Sequence, residues 1–160
     1  MILITKQNNG TMKRITIIFT VMALATLPVL AQSGLNINSL FDGRYKTNPY
    51  AAEYIVTGPA AWEIDLEVYH SLKVTQKEQQ DLIESLVNKD GATAIDKEVQ
   101  LRNGKLYYGF YTLSKTKKGR NRYIFFLNQN LAKKSPKNMV TLIYMEGKAT
   151  PTQIKKLIRK

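Results

Sequence analysis

"EVQLRNGKLYYGFYTLSKTKKGRNRYIFFL", Glu98 to Leu127, sets two turn signals between three apolar and aromatic runs. Asn103-Gly104 is the dipeptide most suited to a two-residue hairpin turn, because both central positions require positive φ. Glu98 to Arg102 and Lys105 to Leu113 are therefore expected to pair as antiparallel strands. Lys115 to Asn121 forms a longer second turn, and Arg122 to Asn128 the next strand. Met139 to Met145 follows as the last strand, after a loop that contains Pro136. On the central strand Tyr107, Gly109, Tyr111 and Leu113 share one face, and Leu106, Tyr108, Phe110 and Thr112 share the other. Tyr123, Phe125 and Leu127 alternate with Ile124 and Phe126 in the same way. The region reads as a β-meander.

Upstream, Ala52 to Thr57 has strand character in Tyr54-Ile55-Val56 and is closed by Gly58-Pro59. From Trp62 to Val74 apolar residues alternate with Glu63, Asp65, Glu67, Tyr69, Ser71 and Lys73, which predicts a strand with one acidic face. Leu66, Tyr69 and Leu72 also suit a helical turn, so a part-helical reading of residues 62–74 stays open. Thr75 and Glu78 have capping-box spacing, and Leu82, Ile83, Leu86 and Val87 give the following helix an apolar stripe. Ile37, Leu40, Phe41 and Tyr45 suggest a short helix near the start. Thr150-Pro151-Thr152-Gln153 supplies an N-cap, a proline at the first helical position and a box-completing glutamine for a terminal helix. The order predicts one α+β domain: an antiparallel sheet of about four to five strands packed against two to three helices.

The first 31 residues read as a signal peptide, with the natural start at Met12. Lys13-Arg14 is the charged region and Ile15 to Leu30 the apolar one. Val29-Leu30-Ala31 is the exit, so cleavage is expected after Ala31. The apolar run spans 16 residues, short of the roughly 20 that cross a bilayer. No transmembrane span is expected once the leader is removed. The chain has no cysteine, which excludes a lipid-modified terminus, disulfides and thiol chemistry. The expectation is an exported protein, periplasmic or secreted, with a single domain over residues 32–160.

The chain carries net charge +12, distributed unevenly. Residues 32–96 hold 5 cations and 10 anions, and residues 97–160 hold 16 cations and 2 anions. Partial cancellation within the fold is expected, with a residual basic face. For an exported chain the available polyanions are lipid head groups and acidic glycans, not nucleic acid. Lys115, Lys117, Lys118, Arg120 and Arg122, in the turn and at its exit, are the candidate ligand-binding residues for an anionic surface. The aromatic strands beside them have only half of an RNA-recognition signature in Tyr108-Gly109-Phe110-Tyr111.

Catalytic residue types are sparse. His70 is the sole histidine, which excludes centres built on two or three histidines. No Gly-x-Ser-x-Gly elbow presents a nucleophile, and the glycines are too isolated to cradle phosphate. His70 is expected to be a strand or core-rim residue. Glu63, Asp65 and Glu67 could form an acid–base pair or a cation site if they share a strand face. Without a glycine-bearing loop they read as a solvated face. No catalytic residue, metal or cofactor is assigned.

Four stretches carry a resemblance over most of the mature chain: "LNINSLFDGRY", "EYIVTG", "YHSLKV" and "VTLIYMEGKATPTQIKKLI". The last, a strand running through Glu146-Gly147 into a capped helix, is the most specific. The chain resembles a family of small exported proteins of unknown function from Gram-negative gut anaerobes. The resemblance implies export and a compact α+β fold, and it brings no reaction, cofactor or active site. The leading expectation is a non-enzymatic envelope module that binds or scaffolds through its sheet or basic hairpin. The alternative is a small hydrolase or carbohydrate-acting enzyme using the acidic face.

Overall fold

The structure is a computed structural model that describes residues 33–159; the leader and its expected cleavage point lie outside them. A 3₁₀ helix at Asn36–Leu40 precedes β1 (Ala51–Thr57), α1 (Pro59–Trp62), β2 (Leu66–Val74) and α2 (Lys77–Gly91). Then come β3 (Asp96–Arg102), β4 (Lys105–Leu113), β5 (Asn121–Asn128), a second 3₁₀ turn at Gln129–Leu131, β6 (Val140–Gly147) and α3 (Pro151–Ile158).

All six strands join one antiparallel sheet in the order β1-β2-β6-β5-β4-β3. The expected count of four to five is corrected to six. The meander β3 to β6 forms as expected, and β2 pairs with β6 to continue it, with β1 on its outer edge. Asn103 and Gly104 have φ of 52° and 73°, the left-handed pair that the hairpin between β3 and β4 requires.

One face packs against α2 and the first 3₁₀ helix. It carries His70, Leu72, Val74, Leu142, Tyr144, Ile124, Phe126 and Tyr111, in register across four strands, beneath buried Ile83 and Val87 of α2 and Ile37 and Leu40 of the 3₁₀ helix. Tyr111 fits because Gly91 and Gly109 carry no side chain: a Cβ would sit 2.4 Å and 2.6 Å from its ring. The opposite face carries Phe110, Tyr123, Phe125, Ile143 and Met145, closed by Ala61 of α1, Leu66, Ala149 and Ile154 of α3. Phe110 and Tyr123 stack with centroids 5.7 Å apart. Burying aromatic area of this kind on both faces is what a cysteine-free domain has to rely on.

The two expected capping boxes fare differently. That of α3 forms, with Thr150 and Gln153 each satisfying the other's backbone N–H. That of α2 does not. Gln76 is the N-cap, without a side-chain bond, and the Thr75 hydroxyl donates to the Tyr50 carbonyl 3.2 Å away. The competing backbone acceptor lies on the segment entering β1, a tertiary partner that local spacing does not reveal.

Candidate functional site

At one end of the sheet the α1–β2 turn, the β4–β5 turn and the β6–α3 turn meet. Gly58 leaves β1 at φ 66°, Pro59 starts α1, and this single turn buries Ala61 while leaving Trp62 63% exposed. The alternation expected from Trp62 begins only at Leu66. Glu63 is the C-cap of α1, and Asp65 sits in the turn with φ 57°. The structure thus corrects the continuous strand over residues 62–74: its first four residues close a helix and turn. The apolar spacing fits both forms, and Gly58-Pro59 decides for a helix start.

Asp65 is held from two sides. Its carbonyl accepts the amides of Lys148 and Ala149 at 2.8 Å and 2.9 Å, and its carboxylate accepts from Gln153 at 2.9 Å. Glu67, beyond the turn, forms an ion pair with Arg120. Trp62, Asp65, Leu66, Glu67, Arg120 and Lys148 line an open cleft of about 350 Å³. Sequence reasoning missed Trp62 and Lys148 as site residues. The one available signal was a lone tryptophan three residues after a helix-starting proline.

The acidic residues do not share a face. Glu63 lies outside the cleft lining, and Asp65 and Glu67 each have a partner from another element. Glu67–Arg120, and Asp81–Lys105 at 3.7 Å, link the acidic and basic halves, so charge cancels in part. The five cations divide likewise. Lys115, Lys117 and Lys118 are exposed on the turn, and among the described residues no acid pairs with them. Arg120 is committed to Glu67. The half-buried Arg122 donates to the Ser114 carbonyl at 2.8 Å and faces Glu146 in register.

His70 is on the other face of the sheet. It is 1% exposed, its Nε2 lies 2.6 Å from a Glu53 carboxylate oxygen, and its ring centroid is 3.9 Å from that of Phe41. Burial holds it below the usual histidine range, against the pull of Glu53. In register with it on β6, Tyr144 donates to Glu146 at 2.6 Å. Burial pushes the Tyr144 hydroxyl far above its ordinary value, with the Glu146 carboxylate adding to the shift. This polar row is closed over by the core and cannot meet a ligand without opening. Phe110 and Tyr111, two of the three rings of the half-formed RNA signature, are 1% and 3% exposed, and Tyr108 is half-buried with its ring edge-on to Phe125, so the three form no shared stacking platform.

Among the described residues, no group of three metal-ligating side chains converges, and no helix is long and apolar enough to cross a membrane. No curated protein and no solved structure matches the chain. A family model described as "Family of unknown function (DUF6108)" matches residues 24–158, most of the chain. The chain belongs to that family of unknown function.

Proposed function

We propose that the chain is exported and that its domain is a non-enzymatic binding module of the cell envelope, working through the end of the sheet where the cleft and the lysine turn adjoin. One observation carries this reading: His70, Asp65 and Glu67 are engaged structurally, while Lys115, Lys117 and Lys118 have no acidic partner among the described residues. His70 is buried against Glu53 and Phe41, Asp65 is tied to Gln153, and Glu67 to Arg120. The alternative, a hydrolase or carbohydrate-acting enzyme working from an acidic strand face, is favoured by a concave pocket on which Glu63, Asp65, Glu67 and His70 converge. His70 and the acids lie on different sides of the sheet. The exposed lysines favour an anionic lipid surface as partner, through charge attraction that falls within a Debye length.

The test replaces Lys115, Lys117 and Lys118 with glutamine and leaves Arg120 and Arg122 in place, because those two hold the fold locally. The wild type is expected to sediment with vesicles of equal phosphatidylglycerol and phosphatidylcholine at low salt and to be released as salt rises. The variant is expected to lose most of that binding while its stability changes by no more than about 1 kcal/mol, since exposed cations contribute little each. A wild type that ignores anionic vesicles at low salt contradicts the proposal.

A further inference from the structure

We infer that the Trp62 cleft is a binding site for an uncharged sugar ring of a glycan, distinct in chemistry from the lysine turn beside it. This rests on the reading of the domain as one that binds and does not turn its ligand over. The lining residues are Trp62, Asp65, Leu66, Glu67, Arg120 and Lys148, and all but the buried Leu66 supply something that a pyranose uses.

Trp62 is the only tryptophan in the chain. A core that accepts Tyr123, Tyr144, Phe110 and Phe126 as fully buried residues leaves this larger ring outside. Ala61 anchors α1 from below at 0% exposure, so the indole is displayed on a fixed turn. Its flat apolar face suits the C–H face of a sugar, which is apolar over one ring surface and polar at the rim.

The polar lining matches that rim. Asp65 and Glu67 accept hydrogen bonds from hydroxyls, and Arg120 and Lys148 donate to them, so neighbouring hydroxyls, each donor and acceptor, find both partners. Two carboxylates against two cations leave the cleft without net charge. That argues against a phosphate or nucleotide, which needs an excess of donors and positive charge, and separates this site from the uncompensated Lys115, Lys117 and Lys118. Both carboxylates are already oriented by residues of other elements, Gln153 for Asp65 and Arg120 for Glu67. Less ordering is then needed on binding. Asp65 also occupies a left-handed backbone position kept in place by two amides from the β6–α3 turn. The open cleft, of about 350 Å³, lies at the small end of the roughly 300–1,000 Å³ usual for small-molecule sites, which gives room for one sugar ring with the rest of the glycan in solvent.

The experiment screens the folded chain against an array of neutral and acidic glycans. Titration of a bound neutral disaccharide then follows the emission of the single tryptophan. The expected result is saturable binding of at least one neutral glycan, with a shift in Trp62 emission and little dependence on salt. Trp62→Ala is expected to weaken it roughly tenfold or more, measured by calorimetry. Trp62→Phe should recover part of it, and the Lys115, Lys117 and Lys118 glutamine variant should bind the sugar normally. Trp62 is exposed, so its variants are expected to melt like the wild type. The inference is overturned if no neutral glycan binds. Binding that survives Trp62→Ala or disappears with the three lysines also overturns it. Vesicle binding that persists in those cases leaves the envelope-module reading standing, whereas cleavage of a bound disaccharide, seen by chromatography, removes the premise that the domain only binds.

Discussion

Gly147→Ala is expected to destabilise the domain by roughly 3 kcal/mol, the upper part of the usual overpacking range. A Cβ on Gly147 would lie 2.5 Å from the Asp65 carbonyl oxygen, 2.6 Å from the Leu66 Cα and 2.9 Å from the Glu67 amide nitrogen. All three are backbone atoms where the turn enters β2, and the β2–β6 register shifts there between Leu66 and Val68. No rotamer change relieves such a clash. Either the strands separate or the Asp65 carbonyl moves away from the Lys148 and Ala149 amides that it holds. For a domain of this size, such a loss lowers the thermal midpoint by on the order of 10 °C. Thermal and urea denaturation of the variant check it, and an unchanged midpoint would show that the strands can part at no cost.

The second large effect is expected at Asp90, buried at the end of α2 with 3% exposure. One carboxylate oxygen accepts from the Asn36 backbone and side-chain amides, both at 2.8 Å, and the other accepts from the Ile37 amide at 2.9 Å. This single side chain ties the first 3₁₀ helix to α2. Asp90→Ala strands two backbone donors without their acceptor, at roughly 3 kcal/mol. Asp90→Asn keeps one acceptor but offers an N–H₂ to a backbone N–H, so it is expected to recover only part of the loss. Local unfolding accompanies it: hydrogen exchange should rise in residues 36–45 before it rises in the sheet. Equal stability of wild type and Asp90→Ala would remove this tie from the account.

Where the chain encodes its structure locally, the sequence was readable. Asn103-Gly104 requires a tight turn, and the aromatic alternation on either side of Lys115 to Asn121 sets which rings face which layer. The Thr150-Pro151-Gln153 cap works within four residues, so it too could be read. What escaped depends on partners far along the chain. Thr75 gives its hydroxyl to Tyr50, and Asp65 adopts positive φ because the β6–α3 turn grips its carbonyl. The cleft is assembled from residues 62, 65–67, 120 and 148, and no short window of sequence contains it. The five-cation cluster looked like one site because Lys115 to Arg122 are adjacent in the chain. In three dimensions Arg120 turns to Glu67 and Arg122 to Ser114, and only the three lysines remain at the tip. His70 was readable as a core-rim residue from its place in an apolar alternation, whereas its pairing with Glu53 needed the β1–β2 register.

Hydrogen exchange read by mass spectrometry shows whether this end of the sheet is the working surface. The folded chain is compared alone and with vesicles of equal phosphatidylglycerol and phosphatidylcholine at low salt. Protection is expected to concentrate in residues 114–120 and to be lost again when salt is raised, with the edge strands β1 and β3 exchanging as in the free protein. Protection centred on β1 or β3, with residues 114–120 unchanged, would contradict it.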